Sequence, residues 1–252
     1  MTKMLASVVD ILEAETVIRA GADIVDLKNP HSGALGALPI ERIRSIVDQV
    51  AQRRPVSATI GDLPPDPVKL TDAILRTVCI GVDYVKVGFL SNDNLCNCLH
   101  SIAKITTDHA VIAVLFADRR PPLDNLSAFA DAGFRGVMLD TAEKQNGHLL
   151  QHIGLARLNE FVEDAKHLGL LSGLAGSLRL QDIPRLLPLG TDYLGFRGAL
   201  CESSNRVEGV KPRQVFAIRN AVSGQPATGS KGCSWKKPSF QPASDHSVVD
   251  SN

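Results

Sequence analysis

The chain lacks any excess of charge: 27 Lys and Arg stand against 27 Asp and Glu. That balance argues against nucleic acid or an anionic membrane as the main partner. No run of roughly 18 apolar residues occurs, so no transmembrane helix is expected. The apolar run after Met4 is too short for a signal peptide and reads as a first strand. The five cysteines (Cys79, Cys96, Cys98, Cys201, Cys233) are odd in number and show no disulfide spacing, which makes a reducing cytoplasm the expected compartment. Cys96-x-Cys98-x-His100 falls on a predicted helix, where residues two apart diverge, so no metal site is expected there. A P-loop and a nucleophilic-serine motif are absent, and no G-x-G-x-x-G follows the first strand. No cofactor is expected, and self-association into a homo-oligomer stays open. What is there is 252 residues, 44% of them hydrophobic: enough for a full core, and short enough for one domain.

From Met4 to Val222, short apolar runs alternate with stretches of helical period. Strands are predicted at 5–9, 23–28, 56–60, 84–89, 110–117, 136–140, 170–174 and 193–196. Helices follow at 11–20, 39–52, up to 79, 93–106, 126–132, a long one up to 167, one ending near 187, and 212–222. Eight strand–helix units in this length predict a single (β/α)8 TIM barrel, with an open doubly wound sheet as the alternative. The catalytic domain is set at 1–222. Residues 223–252 are rich in Ser, Pro, Gly and Lys and read as a disordered tail, with Trp235 and Cys233 as the features that could dock.

The stretch Asp23-Ile24-Val25-Asp26-Leu27-Lys28 organises the rest. In a strand, Asp26 and Lys28 face one side and Val25 and Leu27 the other. Charges on the inward face of a buried strand are costly unless paired or used. Pro30 ends the strand and leaves Lys28 at its carboxyl end, where barrels do chemistry. Asp-x-Lys alone is equally a structural ion pair. Lys86, inside Tyr84-Val85-Lys86-Val87-Gly88, is a second lysine in a buried-strand pattern, and two inward lysines favour function. A free lysine is neutral in roughly one molecule in 2500 at pH 7, and only the neutral amine attacks a carbonyl. Lys86 and Lys144 could supply a like charge that activates Lys28, whereas Asp26 alone would hold it charged; Asp26 and Asp140 then serve orientation and proton transfer.

Other polar residues gather at predicted strand ends: Thr59, Asp62 and Asp118. Gly176-Ser177 after the seventh strand and Arg197-Gly198 after the eighth stand where barrels often bind phosphate.

Several of these segments together resemble the (5-formylfuran-3-yl)methyl phosphate synthases, also called 4-(hydroxymethyl)-2-furancarboxaldehyde-phosphate synthases. The matching pieces are Gly21 through Pro30, Val56-Ser57-Ala58-Thr59-Ile60-Gly61-Asp62, and Asp83 through Gly88. They continue with Met138-Leu139-Asp140-Thr141-Ala142, Leu174-Ala175-Gly176-Ser177, and Gly190-Thr191-Asp192 through Arg197-Gly198-Ala199. The resemblance implies a TIM-barrel lyase of methanofuran biosynthesis. It would condense two glyceraldehyde 3-phosphates and release phosphate and water. It further implies that Lys28 forms a Schiff base, that Lys86 accepts a proton, and that Asp26, Asp140 and Lys144 assist. Ser177, Gly176, Arg197 and Gly198, with Lys144, would hold phosphate. The rivals are an ordinary Schiff-base aldolase on a sugar phosphate and a non-catalytic barrel that binds a phosphorylated metabolite.

Overall fold

Apolar runs too short for helices pair side by side in the computed structural model, which describes residues 1–224. The strands are β1 (Lys3–Val8), β2 (Ile24–Leu27), β3 (Val56–Thr59), β4 (Tyr84–Phe89), β5 (Val111–Phe116), β6 (Gly136–Asp140), β7 (Leu171–Leu174) and β8 (Tyr193–Phe196). They form one closed parallel barrel in sequence order, with β8 returning to β1. Around it lie α1 (Ile11–Arg19), α2 (Ile40–Val50), α3 (Pro67–Val78), α4 (Leu95–Thr106), α5 (Leu126–Asp131), α6 (Leu149–His152), α7 (Leu155–His167), α8 (Ile183–Leu186) and α9 (Pro212–Val222). This is the (β/α)8 barrel the spacing predicts. The part of the predicted tail from 225 to 252, including Cys233 and Trp235, lies outside the described residues.

Two helical expectations are corrected. The long helix before His167 is broken, because Ile153 is extended (φ −132°) and Gly154 caps a new start, separating α6 from α7. The helix ending near 187 is a single turn, Ile183–Leu186, flanked by 3-10 turns. Pro184 and Pro188 lack the N–H groups a longer helix would need.

Local sequence explains the repeating turns. Asp10 caps α1 by accepting from Glu13 N at 2.8 Å, and Asp66 caps α3 through Val68 N and Lys69 N. Gly-x-Asp recurs before β2, β4 and β8. In each copy the carboxylate accepts the N–H of a neighbouring strand's residue: Asp23 from Met4, Asp83 from Val56 and Asp192 from Ser172, at 2.7–2.8 Å. The glycine at each takes a positive φ to leave the preceding helix.

The main core lies between barrel and helices. A second apolar layer fills the barrel interior with Leu5, Ile112, Val114, Phe116, Met138 and Tyr193. Leu35, from the loop after β2, belongs to this inner layer and is 1% exposed. A Cβ on Gly88 would stand 2.7 Å from Leu35 and 3.2 Å from Phe116, so glycine there lets both side chains plug that side of the mouth. The open part of the mouth is displaced toward β6, β7, β8, β1 and β2.

Candidate active site

Above the inner apolar layer the barrel turns polar. Register places Ser7 of β1, Asp26 of β2 and Ser57 of β3 in one row. Asp26 is fully buried, and Ser7 and Ser57 donate to its two oxygens at 2.7 Å each. Lys86 lies further along β4 than Ser57's register partner Tyr84 and reaches back across β3, with Nζ 2.6 Å from Asp26 Oδ1. Lys28, just past the end of β2, does not pair with Asp26. It spans the mouth to β6, diametrically opposite in an eight-stranded barrel, with Nζ 3.2 Å from Asp140 Oδ2. The other oxygen of Asp140 accepts from Lys144 Nζ and from Thr141 N at 2.8 Å. Three ammonium groups thus surround two carboxylates.

Burial pushes the Asp26 carboxyl up, but the charges of Lys86 and Lys28 and the hydrogen bonds of Lys86 and Ser57 outweigh it and leave it below the usual carboxylate range. Asp140 follows the same pattern, with Lys144 and Lys28 overcoming burial. For Lys86, burial pushes the ammonium down further than Asp26 holds it up, and the like charge of Lys28 adds to the drop. Lys144 is lowered from 10.5 to about 8, first by burial and then by the charge of Lys28, against the pull of Asp140. An ammonium near pKa 8 exchanges its proton at neutral pH far more readily than an ordinary lysine.

Above these groups opens a cleft of about 1020 Å³. Lys28, Lys86, Asp26, Asp140 and Lys144 all face it, as do Gly176, Ser177, Arg197 and Gly198. Gly176 and Ser177 both take positive φ (107° and 52°), turning the chain sharply at the edge of the cleft and leaving Ser177 exposed on it.

A family model described as 4-HFC-P synthase matches residues 4–219. The chain belongs to this family. It is 37% identical to the (5-formylfuran-3-yl)methyl phosphate synthase of Methanococcus maripaludis strain C5 over 82% of this chain and 92% of that protein. It is also 37% identical to the (5-formylfuran-3-yl)methyl phosphate synthase of Methanopyrus kandleri, over 88% of this chain and 99% of that one. A solved 3-hexulose-6-phosphate synthase superposes with a TM-score of 0.63 at 18% identity, covering 88% of this chain and all of its own, a likeness of fold alone. The chain is an enzyme of the 4-HFC-P synthase family.

In this family member, Arg197 stands apart from the other site residues. Its guanidinium grips Glu13 (Nη1 to Oε2 2.5 Å, Nη2 to Oε1 3.2 Å) and three backbone carbonyls: Ser7, Arg206 and Glu208. All five of its N–H groups are used within the protein. The expectation that it holds phosphate therefore meets a side chain with no donor left over. Glu13, itself buried, also accepts from Val9 N and Val210 N, so the pair ties the loop after β8 to the start of α1. Asp62 and Asp118 likewise hold loops: Asp62 accepts from Ala34 N and Leu35 N, Asp118 from Ala142 N and Glu143 N. Asp118 thereby pins the segment that leads into Lys144, and Asp62 pins the loop after β2.

Ser7, Ser57 and Glu13 carry part of this arrangement and were not singled out by sequence reading. Ser7 and Ser57 had a usable signal, since each is a polar residue at an inward position of a strand. Glu13 had none, because a glutamate in the first turn of a helix ordinarily serves the helix dipole. Cys96 is exposed and Cys98 buried on α4, facing different ways. Among the described residues no helix is long and apolar enough to cross a membrane, and no cluster of three metal-ligating side chains occurs.

Proposed function

We propose that the enzyme condenses two molecules of glyceraldehyde 3-phosphate to (5-formylfuran-3-yl)methyl phosphate, as a carbon–oxygen lyase acting on phosphates in the biosynthesis of a methanofuran-type one-carbon carrier. The observation that carries this reading is the amine of Lys28, held across the barrel mouth by a carboxylate whose other oxygen is taken by Lys144. A Schiff base needs an amine that can lose a proton beside a group able to accept it. Asp140 bridges Lys28 to such a group, because Lys144 is the lysine with a pKa lowered to about 8.

In the proposed reaction Lys28 attacks the aldehyde of the first triose and water leaves, giving an iminium. The iminium acidifies the neighbouring carbon. Lys86, 2% exposed and set against Asp26, takes that proton in its neutral form, and the resulting enamine attacks the aldehyde of the second triose. Ring closure and elimination then yield the furan. The atoms balance when two trioses give one furan phosphate, one phosphate and two waters. Asp26, fixed by Ser7 and Ser57, orients Lys86 and stabilises the ammonium formed when Lys86 takes the proton. Gly176, Ser177 and Gly198 hold one phosphate at the β7–β8 side of the cleft.

The purified full chain, incubated with glyceraldehyde 3-phosphate alone, is expected to release phosphate and form a product with the mass of the furan phosphate. Reversible carbon–carbon cleavage without phosphate release would make it an ordinary aldolase. Binding with no turnover and no lysine adduct would make it a sensor.

A further inference from the structure

Two phosphorylated trioses bring two dianions into one cleft, and the β7–β8 edge supplies a single anion cradle. The cleft contains a second, unassigned cation. Arg206, from the loop between β8 and α9, faces it with its guanidinium half-buried. Of its five N–H groups, one is engaged: Nη2 donates to Gly33 O at 3.1 Å. No described carboxylate lies within ion-pair distance of it, although Asp140 and Asp62 are near enough to favour its charge. Arg197, nine residues earlier, is its opposite, with every donor satisfied.

The loop that carries Arg206 is built. Cys201 and Val210 form an antiparallel bridge at its base, and Lys211 N donates to Leu200 O at 2.8 Å. Arg197 holds the carbonyl of Arg206 itself at 2.8 Å and that of Glu208 at 2.9 Å, while Glu13 accepts from Val210 N at 3.1 Å. The buried Arg197–Glu13 pair therefore fixes the backbone from which Arg206 projects. On the far side, the Gly33 carbonyl that receives Arg206 is also fixed, because Asp62 accepts from Ala34 N at 2.7 Å and leaves no space for a side chain on Gly33. Arg206 thus bridges the loops after β8 and β2, above β1, two strand positions round the ring from the β7 loop that carries Gly176 and Ser177. A partly desolvated guanidinium without a carboxylate is costly unless something supplies an anion, and a phosphate monoester matches its free donors two at a time.

We propose that Arg206 binds the phosphate of the second triose phosphate, forming an anion site separate from the β7–β8 cradle. The identity of the ligand rests on the furan-synthase reading above; the anion site itself does not.

The test is calorimetric titration of the full chain with sn-glycerol 3-phosphate, which has the phosphate and no carbonyl to form an imine. The unaltered chain is expected to bind two equivalents. Arg206→Gln keeps an N–H for Gly33 but no charge, and should lose one of the two sites by more than tenfold while the other is unchanged. Arg206→Lys, which keeps the charge without the fork, should fall between. An Arg206→Gln chain that titrates like the parent overturns the proposal, and so does one in which both sites weaken together, which would mean Arg206 only braces the loops. If the parent binds two equivalents yet makes no furan from glyceraldehyde 3-phosphate, the reaction assignment falls and the Arg206 site stands.

Discussion

Lys28 and Lys144 share one carboxylate: Lys28 Nζ lies 3.2 Å from Asp140 Oδ2, and Lys144 bonds the other oxygen. They sit in the loops after different strands, β2 and β6, but the carboxylate makes them one proton-exchange unit. A proton leaving Lys28 has a route to Lys144, whose pKa is lowered to about 8 by burial and in part by the charge of Lys28.

Turnover should therefore rise with pH through about 8, as Lys144 becomes neutral and able to accept a proton. Lys144→Arg, permanently protonated, should remove that limb and slow the reaction by roughly a hundredfold. A pH–rate profile of the two proteins checks this; an Arg variant with the parent's profile removes Lys144 from the proton route.

Borohydride added during turnover should trap a triose on Lys28, mapped by peptide mass. Lys28→Arg should abolish adduct and product together, because guanidinium cannot act as the nucleophile. Lys86→Ala should still be trapped, with turnover reduced by about a hundredfold or more. Adduct on Lys86, with Lys28→Arg still active, would reverse the two roles.

Asp140 is held below its ordinary 3.8 by its lysines. In the unfolded chain it takes up a proton first as pH falls, so its contribution to stability is complete above about pH 4 and is lost progressively below. Asp140→Asn should flatten the acid loss of melting temperature, leaving the share that Asp26 contributes by the same sign. At neutral pH the variant should be less stable, since two buried ammonium groups lose their counter-ion. Melting curves from about pH 7 down to about pH 3 report both effects.

Arg197→Ala should act mainly on stability. It leaves the Glu13 carboxylate buried without its cation, a loss of about 3 kcal/mol, or on the order of 10 °C in melting temperature for a domain of this size. Substrate half-saturation should rise as well, through release of the loop that presents Arg206. A variant that melts like the parent while half-saturation rises steeply would return Arg197 to direct phosphate binding.

The barrel was legible in the sequence because its causes are local. Strand length, the helical period of Ile11 through Ile18, and Gly-x-Asp before three strands each act within a few residues, and repetition in order leaves a parallel closed sheet as the solution. Three strands, at 84–89, 136–140 and 193–196, agree with their predicted limits: Asp83 and Asp192 precede two of them, and the third runs from Gly136 to Asp140. The break between α6 and α7 was hidden, since Leu150, Ile153, Leu158 and Phe161 keep a helical apolar spacing through it.

Which residues are charged at strand ends was also legible: Asp26, Lys28, Lys86 and Asp140 stand out because a buried strand has no packing use for charge. Their pairing was not. Adjacency on β2 suggests Asp26 with Lys28, but barrel shear brings Lys86 back to Asp26, and closure carries Lys28 across to Asp140 on the opposite strand. Arg197 and Arg206 show the same limit. Both are arginines after the last strand, and only the position of Glu13, nearly two hundred residues earlier, decides that one is consumed by the protein while the other faces the cleft. Residue chemistry is written locally. The choice of partner for a long side chain depends on which strands the closed barrel sets opposite one another, and that is a property of the whole ring.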